Sequence, residues 1–277
     1  MTELTDCSSE YLSKHIKNDD TILVLTHFQF GDLYFQLPLF EHLRRFFKFV
    51  YVPVKTDVFK SFDIVKNTNI IFLPGKYIYS YKATIDDIDV TKFNYYILLG
   101  DNNKQPIDNI DSNEYIFGLF YYPVKLNSMI YNKIPNFIEQ GKRKLPDFLK
   151  CKKYFFISLK GSDGFRNIQI PINISDNILC ICPDKNLYPI GHKFYSDAQQ
   201  CVGLTTCHYI PIIENSKMIV VLDSGFFMLT LLCNLSHVSL LICVMKSIYW
   251  NEPILISYVS YTRTNKYLFI EDTKFSF

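Results

Sequence analysis

Residues 26–47, THFQFGDLYFQLPLFEHLRRFF, begin as the end of an apolar strand and continue as an amphipathic helix. The change falls at Gly31-Asp32, which predicts a tight turn followed by a helix over residues 33–47, with His42 on its solvent side. Glycine permits a sharp turn and a close approach of a ligand, and the helix dipole favours an acid at a helix start. Asp32 is therefore either an acid at a ligand site or an N-cap, and the residues alone leave both interpretations open.

Apolar runs of strand length alternate with helix-length stretches through the first half of the chain. Candidate strands cover residues 21–28, 47–54, 69–75, 94–101 and 113–123. Strands separated by crossovers of this length form a parallel sheet that helices cover on both faces. The first half is therefore predicted to be a Rossmann-like α/β domain.

Residues 125–150 interrupt the alternation with a helical pattern and a basic stretch, which predicts a link between two domains. The alternation then restarts, with candidate strands at residues 152–161, 176–184, 218–225 and 237–245 and candidate helices at 192–202, 210–217 and 226–235. We predict an N-terminal domain over residues 1–145 and a C-terminal domain over residues 150–277. Both are expected to be Rossmann-like, with parallel sheets that face each other across a cleft.

The chain of 277 residues has a formal net charge of +2, which gives no electrostatic reason to expect nucleic acid or an anionic membrane as a partner. Residues 218–245 imitate a membrane span, but Asp223-Ser224-Gly225 and residues 234–237 interrupt the apolar run. Strand, helix and strand is the better interpretation, because a charge inside a membrane span is costly. The polar N-terminus has no apolar signal core, and a cytoplasmic protein without a transmembrane segment is predicted.

The composition is skewed, with 20 Tyr and 24 Phe against two alanines. Such a bias is typical of an AT-rich genome, viral or parasitic, and a viral protein of this kind would work in the host cytoplasm. The eight cysteines form no CxxC pair and several lie in apolar runs, so buried free thiols are predicted. Cys201, Cys207 and His208 do not have the spacing of a zinc site, and no metal is predicted.

Asp223-Ser224-Gly225 follows the apolar run MIVVL and precedes the apolar stretch FFMLTLLCNL. Small residues with free backbone amides at a helix start suit an anion such as a phosphate. An ordinary capping turn is the alternative. The common nucleotide fingerprints, GxGxxG and the Walker A lysine loop, are absent from the sequence.

Taken together, the two motifs resemble those of the heptosyltransferases of lipopolysaccharide synthesis. GDLYFQLPLFEHLRRFF resembles the opening of that family, and ENSKMIVVLDSGFFMLTLLCNLS resembles its second signature, in the same order and one in each half. The resemblance implies two Rossmann-like domains of the GT-B type, with the acceptor on the N-terminal side and the nucleotide sugar on the C-terminal side. It further implies that Asp32, after Gly31, is the base for the acceptor hydroxyl, and that the turn at Asp223, Ser224 and Gly225 holds the donor phosphates.

Further candidates surround the two motifs. Lys160 and Arg166 follow the first strand of the second half, where the resemblance implies cations that neutralise a diphosphate; ordinary surface cations are the alternative. Tyr188 and His192 lie in CPDKNLYPIGHKFY, residues 182–195, which also contains Asp184. They follow the next strand, where a base or ribose would be held, or they form a turn before a helix. His27 lies one residue past the first strand and is a candidate contact for the acceptor.

The predicted function is an inverting, metal-independent transfer of a sugar from a nucleotide-sugar donor to a glycan or another hydroxyl acceptor. No cofactor is predicted beyond the sugar nucleotide, which is a substrate. The chain departs from the family pattern at Met228, where that family has His. A degenerate, non-catalytic binding or assembly module is therefore the alternative, and an enzyme of different chemistry on the same fold is a third.

Overall fold

The protein folds as two compact units, Met1–Gly141 and Lys142–Phe277. The structure, a computed structural model, describes residues 1–26, 30–55, 59–60, 62–65, 68–75, 88–99, 143–161, 164–165, 177–222, 224–245 and 267–271. The candidate strand at 113–123 and most of the link at 125–150 lie outside these residues.

The first unit contains a five-stranded sheet in which every pairing is parallel. Its strands are β1 (Thr2–Glu3), β2 (Thr21–Thr26), β3 (Phe49–Lys55), β4 (Ile70–Gly75) and β5 (Tyr95–Leu99), in the order β1-β5-β2-β3-β4. The side chains of residues 22–25 in β2 are fully buried, as expected of a central strand with both faces covered. The four predicted strands of this half that lie among the described residues are present.

The helices α1 (Ser9–His15) and α2 (Phe30–Leu43) and a 3-10 turn at Val90–Lys92 accompany this sheet. Neither β1 nor α1 was predicted from the sequence, because the N-terminal residues are mostly polar. Ser8 caps α1 by accepting a 3.3 Å hydrogen bond from the Tyr11 amide, and Leu12 anchors the helix in the core.

Helix α2 differs from the predicted amphipathic helix in its bounds and its surroundings. It begins at Phe30 and ends at Leu43, and every side chain that the structure describes in it is buried. The prediction of a solvent-facing His42 is wrong: its side chain is 6% exposed, and its Nε2 lies 2.8 Å from the Cys7 carbonyl oxygen. Glu41 is buried as well, with an ion pair to Arg44 at 2.6 Å. Polar residues in this stretch thus reflect internal partners and not a solvated face.

The second unit contains another five-stranded sheet with parallel pairings only. Its order is β12-β11-β10-β6-β9, and a small antiparallel pair joins β7 to β8. The strands are β6 (Tyr154–Ser158), β7 (Lys160–Gly161), β8 (Gly164–Phe165), β9 (Leu179–Ile181), β10 (Met218–Leu222), β11 (Leu240–Met245) and β12 (Tyr267–Glu271). Strand β12 extends the sheet beyond the last predicted strand. The predicted α/β class, with a parallel sheet in each half, is confirmed.

The described helices of the second unit are short: α3 (Tyr195–Gln200), α4 (Thr206–Asn215) and α5 (Gly225–Leu231), besides a 3-10 turn at Asp147–Leu149. The stretch that imitates a membrane span forms β10, α5 and β11, as the sequence predicts. Among the residues described, none of the helices has the length and apolar character that crossing a membrane requires. The eight cysteines are free thiols, and all but Cys151 are buried.

Strand order gives each sheet a point at which the direction of winding reverses. In the first sheet the chain runs from β2 outward to β3 and β4, and then continues at β5 on the other side of β2. In the second it runs from β6 to β9 on one side, and then to β10 on the other. Open parallel sheets bind ligands beyond the carboxyl ends of the strands at such a switch point. The relevant places are therefore the ends of β2 and β5 in one unit and of β6 and β10 in the other.

Candidate functional site

The first sequence motif lies at the switch point of the first sheet. Strand β2 ends at Thr26 and pairs in parallel with β5 up to Leu99, and α2 begins at Phe30. Gly31 and Asp32 are the second and third residues of α2. Asp32 is therefore not the N-cap, since the helix begins two residues before it. An acid in the first turn still lies where the helix dipole favours negative charge.

For Gly31 and Asp32 the structure describes the backbone alone, and His27 lies outside the described residues. The roles of Asp32 as a base and of Gly31 and His27 on the acceptor side stay predictions.

The second motif lies at the switch point of the second sheet. Strand β10 ends at Leu222, Ser224 occupies the N-cap position, and Gly225 is the first residue of α5. The Ser224 side chain does not cap the helix; its hydroxyl donates a 3.4 Å hydrogen bond to the Lys160 carbonyl oxygen. This contact joins the turn after β10 to the segment after β6. Asp223 lies outside the described residues.

Aromatic packing fixes the start of α5 on the sheet. The ring of Phe226 lies 5.4 Å from that of Phe156 in β6, and 5.3 Å, edge to face, from that of Tyr209 in α4. The Tyr209 hydroxyl in turn accepts from the Leu204 amide and donates to the Cys201 carbonyl oxygen at 2.8 Å. The first turn of α5 is therefore held by side chains from a strand and a second helix. The helix has only seven residues, so its dipole is a small part of any anion binding.

A charged cluster lies beside this turn, where β6 and its neighbour β9 end. Asp184 follows β9 and accepts a 3.4 Å hydrogen bond from the hydroxyl of Ser158, the last residue of β6. Lys160 Nζ lies 3.9 Å from the other carboxylate oxygen of Asp184. The Lys160 side chain is 56% exposed and that of Asp184 is 17% exposed, so the ammonium reaches outward from a partly buried acid.

Burial raises the pKa of Asp184 above the ordinary value for Asp, against the opposing effects of Lys160, Ser158 and Lys185. A partly buried acid with a raised pKa at the ligand-binding edge of a sheet is a candidate functional group. The sequence placed Asp184 after a strand, but nothing in the local pattern brings it to Ser158 and Lys160, which precede it by more than twenty residues.

The structure places Tyr188 and His192 in a turn after β9. The Tyr188 ring is 5% exposed, and its hydroxyl accepts from the Cys180 amide at 2.7 Å and donates to the Ile178 carbonyl oxygen at 2.9 Å. The His192 ring stacks on it, with centroids 4.6 Å apart. This arrangement corresponds to the turn interpretation of the sequence, and contact of either residue with a donor stays a prediction.

Arg166 lies outside the described residues, so its role in the donor site stays a prediction. Met228, at the position of the His in the family that the motifs resemble, is 7% exposed and packs among the core residues of α5. Within the described ranges, no group of three or more His, Cys, Asp or Glu side chains is arranged to hold a metal ion.

No protein-family model matches the chain, and no curated protein matches it in sequence. Solved structures with a similar backbone include the bacterial iron-containing dodecameric glycosyltransferase TibC from enterotoxigenic E. coli H10407, with 14% identity and a TM-score of 0.45 over 83% of this chain. They also include the iron-containing heptosyltransferase TibC in complex with ADP-D-beta-D-heptose, with 14% identity and a TM-score of 0.43 over 84% of this chain. In both, the match spans 59% of the TibC chain.

E. coli heptosyltransferase WaaC with ADP is a third similar structure, with 10% identity and a TM-score of 0.43. The match covers 92% of this chain and 94% of that one. Heptosyltransferases, the family that the two motifs resemble, are thus among the solved structures to which this chain is similar.

Proposed function

We propose that this chain is a glycosyltransferase that moves a sugar from a nucleotide-sugar donor to a hydroxyl of a glycan or another acceptor. The proposal is carried by the position of the two sequence motifs. Gly31-Asp32 lies in the first turn of α2 and Ser224-Gly225 at the start of α5, and each helix follows a central parallel strand at a switch point, one in each unit. Ligand sites in open α/β sheets occupy this position.

The second unit is proposed to bind the donor. Its switch point combines the backbone amides at the start of α5 with the exposed ammonium of Lys160. The first N–H groups of a helix have no acceptor within the helix and suit phosphate oxygens. Asp223 and Arg166 are proposed to complete the donor site, and Tyr188 and His192 to border the nucleoside.

The first unit is proposed to supply the base. In this reaction Asp32 takes the proton of the acceptor hydroxyl, and the oxygen attacks the anomeric carbon as the bond to the nucleoside diphosphate breaks. Attack opposite to the leaving group inverts the configuration at that carbon. Lys160 and the helix start stabilise the negative charge that develops on the departing diphosphate, so the proposal assigns no step to a metal.

One observation favours a second candidate, a non-catalytic module that keeps the fold. Met228 is buried at the position where the related motif has His, so this position offers no polar contact to a ligand. A module without catalysis would still be free to bind a sugar nucleotide. Binding and turnover must therefore be measured separately.

The test begins with titration calorimetry of the full chain against ADP, GDP, UDP and CDP. We expect binding of at least one, weakened about tenfold or more by Lys160→Gln, since a charge-assisted contact is removed. Lys152→Gln is the matched control, because Lys152 precedes β6 at the amino ends of the parallel strands, away from the switch point, and pairs with Asp197. Failure of all four nucleotides to bind would refute the donor site.

The second stage incubates the chain with sugar nucleotides of the preferred base and measures released nucleoside diphosphate, with and without candidate acceptors. Release or transfer above that of an Asp32→Asn variant supports the enzyme. Binding without release from any sugar nucleotide supports the non-catalytic module.

A further inference from the structure

In the ion pair of Lys160 and Asp184, the carboxylate is held in place and the ammonium is free to move. Asp184 is mostly buried and accepts a hydrogen bond from Ser158, whose side chain is fully buried. Lys160 is exposed for more than half of its side-chain surface, and its single contact with the acid is long, at 3.9 Å. An ion pair with one exposed member and a single long contact is weak. The ammonium can therefore leave the carboxylate at small cost, whereas the carboxylate stays in place.

An anion that arrives at the switch point competes with Asp184 for this ammonium. The hydrogen bond from the Ser224 hydroxyl holds the Lys160 backbone beside the start of α5. The Lys160 side chain is therefore attached next to the place where the phosphates are proposed to lie. A diphosphate carries more negative charge than one carboxylate and accepts more hydrogen bonds. It therefore displaces Asp184 as the partner of the Lys160 ammonium. Once the anion is bound, Lys160 no longer pairs with Asp184, and the negative charge of the anion lies near the carboxylate.

We propose that Asp184 is a positioning residue for the donor site, which holds Lys160 ready and yields it to the phosphates while taking up a proton from solvent. The inference rests on the proposed function, because it assumes that the phosphates of a sugar nucleotide bind at this switch point. The proton adds to a carboxylate oxygen of Asp184, and no other bond forms or breaks. Loss of the positive neighbour and arrival of the negative one both favour the neutral acid.

The other groups that face Asp184 do not account for such an uptake. Burial raises the pKa values of the Cys182 thiol and the Tyr209 hydroxyl, so both are already protonated in the acid range. Lys160 and Lys185 enter this cluster as positive charges that lower the pKa of Asp184. Asp184 is thus the group of this cluster that can gain a proton below neutral pH.

Linkage fixes the sign of the effect. If the complex holds one more proton than the free chain, affinity for the anion rises as the pH falls toward the range in which Asp184 titrates. The raised pKa of Asp184 puts this range above the ordinary value for Asp. Replacement of Asp184 by Asn, which resembles the neutral acid, should remove this contribution and free Lys160 at neutral pH.

The experiment is titration calorimetry with the preferred nucleoside diphosphate and with inorganic pyrophosphate, between about pH 5 and 8, in buffers of different ionisation enthalpy. Wild type should take up more protons than Asp184→Asn, by up to about one per site. Asp184→Asn should bind roughly two- to tenfold tighter at neutral pH and with a flatter pH profile. Protons exchanged by the phosphates themselves are common to both proteins and cancel in the difference.

Asp197→Asn is the matched control, since Asp197 forms an ion pair with Lys152 at the amino end of β6, away from the switch point. This variant should behave as wild type. If Asp184→Asn does not fold, Lys160→Gln replaces it, and proton uptake smaller than that of wild type is expected. Equal proton uptake and equal affinity in wild type and variant would overturn the role of Asp184 and leave the donor site standing. No binding of any probe by wild type would overturn both.

Discussion

Replacing Tyr188 by Phe removes a hydroxyl that closes the outer edge of the second sheet. Among the strands that the structure describes, β9 is the last on this side, so its outward backbone groups pair with no described strand. The Tyr188 hydroxyl supplies the missing partner, since it accepts from the Cys180 amide and donates to the Ile178 carbonyl oxygen at 2.7 and 2.9 Å. The ring itself stays packed against His192 and Phe194 in the Phe variant.

The expected loss follows from these two hydrogen bonds. A buried backbone donor left without a partner costs about 1–3 kcal/mol, and no cavity adds to this because only an oxygen is removed. We expect the free energy of unfolding to fall by about 2 kcal/mol, which lowers the melting temperature of a unit of this size by roughly 5–10 °C. If Tyr188 acts through packing alone, nucleotide affinity in the folded variant should change by less than about twofold.

Circular dichroism and urea titration measure the melting temperature and the free energy of unfolding. Calorimetry with the preferred nucleoside diphosphate measures the nucleotide affinity. Tyr195→Phe is the matched control: it is the same chemical change in α3, where the hydroxyl makes no hydrogen bond to any described residue. Equal melting of the two variants would refute the hydrogen-bond account. A tenfold loss of affinity with native melting would instead place Tyr188 in the donor site.

Three other outcomes are expected. Asp32→Asn should keep near-native melting and donor binding but lower turnover by at least about a hundredfold in a transfer assay, and wild-type turnover would rule Asp32 out as the base. Gly225→Val should obstruct phosphate at the start of α5 and reduce nucleotide affinity by calorimetry; unchanged affinity in a folded variant would mean that the site is misplaced. Burial lowers the pKa of His42 below its unfolded value of about 6.5. Its contribution to stability is therefore complete above that value and is lost as the pH falls toward the folded pKa. Urea titration at several pH values should show a smaller loss for His42→Gln than for wild type, whose Nε2 contacts the Cys7 carbonyl oxygen.

The positions of most strands and the class of fold could be predicted from the amino-acid pattern alone. Residues 22–25 and 219–222 are uninterrupted apolar runs, and both prove to be fully buried in central strands. A parallel strand that is buried on both faces requires such a run, so central strands can be recognised from a few consecutive residues. The junction residues Gly31-Asp32 and Ser224-Gly225 were visible for the same reason, because the change from strand to helix occurs within a few residues.

Local pattern failed where a distant segment supplies the partner. His42 looks solvent-facing in sequence, yet it is buried against the carbonyl of Cys7, and the polar residues Thr2–Glu3 form an edge strand on β5. A side chain's environment depends on which segment covers it, and periodicity within one helix carries no information about a segment 35 residues away.

The composition of the candidate donor site depends on the pairing of strands that are far apart in the chain. The order β10-β6-β9 brings the ends of three strands together, so that Ser158, Lys160, Asp184 and Ser224 become neighbours. Any of several strand orders would satisfy the same apolar pattern, because each buries the same runs. The choice among them is made by hydrogen-bond pairing and packing between segments far apart in the chain, and with that choice the position of the switch point is settled.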